Sequence, residues 1–61
     1  MTRAQYRGFQ IQFETVLSPS GRSYKTAIAR GDFFREIGAF GSAIDALSAA
    51  QAIVDLLIEA S

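Results

Sequence analysis

No cysteine, histidine or tryptophan occurs among the 61 residues, and proline occurs once. Each absence closes a route. Without cysteine there is no disulfide framework and no thiolate zinc site. Without histidine the commonest transition-metal ligand is missing, along with the commonest general base near neutral pH. No apolar run approaches the roughly 18 residues of a membrane span. The opening MTRAQYRGFQ has no hydrophobic stretch after its arginines, so no secretory signal is expected there. A cytoplasmic location is the expectation, and the lack of cysteine agrees with it.

A chain this short is one small domain, 1–61, and buries only about 60% of the surface its unfolded form exposes. Small scaffolds need a staple: disulfides, a metal or a partner chain. With the first two closed off, self-association is the expected staple. Half of the residues are hydrophobic (49%) and the formal net charge is zero, which excludes a disordered tail.

Zero net charge conceals a division. Arg3, Arg7, Arg22, Lys25, Arg30 and Arg35 all lie in the first 35 residues beside only Glu14 and Asp32, a balance of +4. Glu36, Asp45, Asp55 and Glu59 follow with no base, a balance of −4. The two halves can therefore attract one another.

Residues 1–5 read as a flexible N-terminal arm. From residue 6 to 18 the chain alternates: Phe9, Ile11, Phe13, Thr15 and Leu17 share one parity, and Gln10, Gln12, Glu14 and Val16 share the other. That is the pattern of a half-buried strand with its aromatic face inward. SPSGR is a turn, with Pro19 presetting the first corner and Gly21 able to take a left-handed position. A second, antiparallel strand follows at 22–30. Placing Ser18 opposite Arg22 sets Phe13 against Ala27 and Ile11 against Ala29, with Tyr24, Thr26, Ile28 and Arg30 outward. A slip of one residue buries Tyr24 and Ile28 instead, and the pattern leaves both open. Arg30-Gly31-Asp32 is a second turn, and a short third strand is expected over 33–37.

The helix is the best marked element, spanning 43–60. Ser42 followed by Asp45 matches the capping-box spacing, and alanine and leucine carry the helix without internal glycine or proline. At 100° per residue, Leu47, Val54 and Ile58 form one stripe with Ala50 at its margin. Ala46, Ile53, Leu57 and Ala60 form a second, and Leu56 lies further round. Asp45, Ser48, Asp55 and Glu59 take the opposite arc. The apolar arc spans about 200°, against the 100° or more of an ordinary surface helix. One stripe suffices for a small sheet. The second, with Ala46, Ile53, Leu56, Leu57 and Ala60, reads as a homodimer interface, the alternative being cover by loops or the N-terminal arm. The acids read as a solvated face or as an acidic ridge that meets the basic region of a partner.

Catalysis finds little footing. Nucleophilic triads need a base beside the nucleophile, and there is no histidine to supply it. Asp55 and Glu59 are four apart on an exposed face, not convergent in a cleft. Lys25 is the only lysine, on a strand where it is expected to be solvated. The glycines fit neither a P-loop nor a dinucleotide loop. No cofactor and no metal is expected. Nucleic-acid contact by a β-ribbon carrying Arg7, Arg22, Lys25 and Arg30 is the second hypothesis, although the chain lacks the basic excess such domains carry.

Tyr6-Arg7-Gly8-Phe9 opening a strand, a Pro/Gly hairpin, and Phe40-Gly41-Ser42 leading into an alanine-rich helix resemble the small uncharacterised bacterial β-β-β-α proteins. The layout is also similar to the HicB-type antitoxin domain, a partial ribonuclease-H-like fold that binds a toxin. The second resemblance implies a protein-binding role, and neither supplies catalytic residues. The expected fold is α+β: an antiparallel sheet of two to three strands with one C-terminal amphipathic helix on one face. The expected role is a non-enzymatic, homodimeric interaction module acting on itself or on another protein, with no membrane contact.

Overall fold

A computed structural model describes residues 2–60. It is α+β, with one antiparallel sheet followed by one helix. The elements are β1 (Thr2–Tyr6), β2 (Phe9–Ser18), β3 (Gly21–Arg30), β4 (Phe33–Phe40) and α1 (Ala43–Ala60). The strands form a simple meander, β1-β2-β3-β4. No helix is long and apolar enough to cross a membrane, among the described residues.

The sheet has one strand more than expected, and its source is the expected arm. Thr2–Gln5 is not a free arm but most of β1, paired with β2 from Thr2↔Phe13 to Tyr6↔Phe9; Met1 lies outside the described residues. A two-residue turn makes this possible. Arg7 and Gly8 both hold positive φ, +51° and +86°, the pattern of a type I′ hairpin turn. Arginine is an uncommon residue at positive φ, so the Arg-Gly pair carries no turn signal as plain as Asn-Gly.

The β2–β3 hairpin takes the slipped register. Ser18 pairs with Gly21, Ile11 with Ile28 and Phe13 with Thr26. The loop is therefore two residues, Pro19–Ser20, not three. This register sets two β-branched side chains against each other at the centre of the sheet, and Ile11 and Ile28 are both fully buried. Thr26 is buried beside them, its hydroxyl donating to the Tyr24 carbonyl oxygen at 3.1 Å. The other of the two registers would have faced Ile11 with alanine and left Ile28 in solvent. Tyr24 and Arg30 also turn to the helix side.

β4 runs to Phe40 rather than stopping at Ile37, because a bulge resolves its conflicting parity. Ala27 pairs with Glu36 and Thr26 with Gly38, leaving Ile37 between them. The extra residue lets Ile37 pack on the core while the register of Gly38 and Phe40 stays on the same side. Gly38 sits at φ +148°, which suits glycine.

The helix begins where the capping residues place it. The Asp45 amide donates to Ser42 Oγ at 3.1 Å, and the Ala46 amide to the Ser42 carbonyl at 3.1 Å. The helix lays Ala46, Ala50 and Val54, all fully buried, along the sheet. These fall on the seam between the two apolar stripes. Two alanines in that line let the helix approach its own sheet closely, so Ala46 belongs to the core and is withdrawn from the expected dimer interface. Phe9, Ile11, Ile28, Ala50 and Val54 form the buried cluster, flanked by Leu47, Ile53, Leu57 and Ile58 from the helix.

Candidate self-association surface

The sheet positions α1 mainly over β3, with β4 and β2 beneath its flanks. One flank is tied down. The Tyr6 hydroxyl donates to Asp55 at 2.9 Å, and Arg7 Nη1 donates to the same carboxylate at 2.7 Å. Arg7 comes from the β1–β2 turn, and its partner from the fourth turn of the helix. The Arg7 guanidinium and then the Tyr6 hydroxyl hold the Asp55 carboxyl below its ordinary 3.8. The same hydrogen bond raises the Tyr6 phenol above its ordinary 10.0. Asp55 is therefore not part of a solvated acidic ridge but a pin between the halves of the chain. The division of charge along the sequence pointed to such an attraction; no local spacing showed which residues would make it.

The pin has a pH signature. A carboxylate whose folded pKa is depressed stabilises the fold above its unfolded pKa, and the contribution fades as pH falls below about 3.8. Asp55→Asn is expected to lower the melting temperature at pH 7 and to flatten the acid limb of the stability curve, the difference from the parent narrowing as pH falls below about 3.8. Both proteins are compared by thermal melts across that range. A difference that stays constant from pH 7 to pH 2 would remove the pin.

The other flank is unpartnered. Ile53 and Ala60 lie across the helix from Asp55, on the β4 side, and Leu56 lies between them and the solvent face. Leu56 is 65% exposed, while Ile53 and Leu57 are half-buried against the core. β4 itself is an outer strand of the sheet, and on it Phe33 and Phe34 are 40% and 58% exposed. Ile53, Leu56, Leu57 and Ala60 with Phe33 thus make an apolar margin along the helix and the strand edge. The helix has placed its middle, not one whole stripe, on the sheet, with one flank tied to Tyr6 and Arg7 and Leu56 on the other left exposed.

Two bulk quantities agree. The surface area is 4221 Å², against about 3,900 Å² for a folded monomer of 6.6 kDa. The radius of gyration is 11.7 Å, against about 10.5 Å for a compact chain of this length.

The residues proposed for nucleic-acid contact do not converge. Arg7 is paired with Asp55, and Lys25 stands 4.0 Å from Glu36 on the face away from the helix. Arg30 lies over the Phe9 ring, 4.6 Å from its centroid. Arg22 is at the opposite end of β3, about 26 Å along the strand at 3.3 Å per residue. The β2–β3 ribbon beyond Tyr24↔Phe40 carries Arg22 as its one base. No group of three or more acids or other ligating side chains is placed to hold a metal, among the described residues. Comparison with protein-family models, with curated proteins and with solved structures found no match to this chain.

Proposed function

We propose that the protein is a small non-enzymatic interaction module that works as a homodimer, with the β4-side flank of α1 as its contact surface. The observation that carries this reading is Leu56. It is a large apolar side chain exposed on a helix whose neighbouring residues Ile53, Leu57 and Ala60 continue the same margin. A two-fold contact needs one self-complementary patch, and a helix flank beside an outer strand supplies one. Burying it adds the interior that a 61-residue chain is short of. The resemblance to antitoxin-type domains, whose work is protein contact, points the same way.

A folded dimer stabilises itself by mass action, so its melting temperature depends on protein concentration. Thermal melts over a hundredfold range of concentration are expected to move upward by several degrees. A melting temperature that does not move would reject the homodimer.

A further inference from the structure

We propose that the cleft between the last two turns of α1 and the Arg30 end of the sheet binds a small organic carboxylate with a flat apolar body, of the size of benzoate. The cleft shares Phe33 and Leu57 with the flank proposed for self-association, so its ligand and a second copy compete there. The cleft has a volume of about 220 Å³ and is lined by Phe9, Arg30, Phe33, Leu57 and Ile58. An apolar cavity of about 150 Å³ already takes benzene, so a ring with one carboxyl group matches the space here, and a nucleotide does not.

Four of the five lining side chains are apolar, and two of them form an ordered aromatic wall. The Phe9 and Phe33 rings meet edge to face, with centroids 6.1 Å apart and an interplanar angle of 88°. The fifth is the cation. Arg30 Cζ lies over the Phe9 ring, 4.6 Å from its centroid, a cation–π contact that holds the guanidinium at the cleft without using its N–H donors. Such a preorganised fork matches a carboxylate in two-point fashion.

The charge around the cleft calls for an anion. Arg35 pairs with Ile28 in the sheet, two residues from Arg30 on the same face. Among the described residues the ion pairs are Arg7–Asp55 and Lys25–Glu36, and among those residues neither Arg30 nor Arg35 has a carboxylate partner. Asp32, in the adjoining turn, pairs with neither of them. Two uncompensated guanidinium groups beside an apolar floor select against cations and against neutral ligands of the same shape.

Benzoate titrated into the ¹⁵N- and ¹³C-labelled protein is expected to give saturable shifts at Phe33, Leu57 and Ile58. Benzyl alcohol, which has the same shape without the charge, is expected to bind at least about tenfold more weakly, since hydrogen bonds to charged groups exceed neutral ones by that margin. Arg30→Gln should bring benzoate down to the level of benzyl alcohol, and Arg30→Lys should recover only part of the difference. Equal binding of the two ligands to the unaltered protein would overturn the proposal, as would shifts that never saturate. The ligand comparison needs no variant, so it stands even if Arg30→Gln fails to fold.

Discussion

Ile28→Ala is expected to leave most of the chain unfolded at 25 °C in dilute solution. Ile28 lies at the centre of β3, fully buried, with Ile11 opposite it and Phe9, Ala50 and Val54 in the same cluster. Removing a buried isoleucine down to alanine costs about 2–5 kcal/mol, the higher values applying where the surroundings cannot collapse into the space. Collapse is restricted here. The neighbours sit on paired strands, and α1 already rests on the sheet through the alanines at 46 and 50. Domains hold about 0.05–0.15 kcal/mol per residue, so this one has roughly 3–9 kcal/mol in total. The loss is therefore comparable with the whole. Ile28→Val, which removes one methylene and keeps the β-branch, costs about 0.5–1.5 kcal/mol and should remain folded. Circular dichroism in a urea titration reads both. Under the register with Ile28 in solvent the two variants would behave alike, so equal stability of Ile28→Ala and the parent would contradict the fold.

Leu56→Glu is expected to halve the mass in solution while preserving the circular dichroism spectrum. Within one chain Leu56 is an exposed side chain (65%), and surface substitutions of that kind change stability by about 0.5 kcal/mol or less. In a dimer closed over the α1 flank, the same change sets two uncompensated carboxylates in an apolar contact. A truncated or disrupted central contact costs at least about 2 kcal/mol, which is roughly 30-fold in Kd, and the two-fold axis applies the change twice. Ile53→Glu or Leu57→Glu would be poorer probes. Both side chains also pack on the chain's own core, so their loss would unfold the monomer and leave the cause ambiguous. Leu56 separates the two effects because its surroundings within the chain are solvent.

Periodicity carried much of this architecture. The alternation from Phe9 to Leu17 placed β2 and its buried face, and Ser42 with Asp45 placed the start of α1, because both are signals local to a few residues. Three features escaped for the same reason. Register is a relation between strands, and the contest between Ile11–Ile28 and Ile11–Ala29 is decided by burial of the second isoleucine against α1. The bulge at Ile37 is visible in sequence only as a clash of parities, with Phe33 and Phe40 both asking for the helix side. β1 was hidden by Arg7, whose positive φ is tolerated in a hairpin turn where Gly8 follows and Asp55 holds the guanidinium.

The contact surface shows the same limit. The width of the apolar arc on α1 was legible, and both stripes contribute to the core, Ala50 and Val54 from one and Ala46, Ile53 and Leu57 from the other. Which part the sheet would cover was not. Small residues on a helix suit a second helix or the chain's own sheet equally, and Ala46 and Ala50 admit the sheet. The larger Ile53, Leu56 and Leu57 are left toward the margin. The cleft at Arg30 was also invisible, since Phe9, Arg30, Phe33 and Leu57 come from four separate elements.

Sedimentation equilibrium of the unaltered protein across a wide range of concentration bears most directly on the need for a second copy. A reversible association reaching twice the mass of one 6.6 kDa chain, abolished by Leu56→Glu, is the predicted outcome. A well-folded species that holds the mass of a single chain at the highest concentration would contradict it.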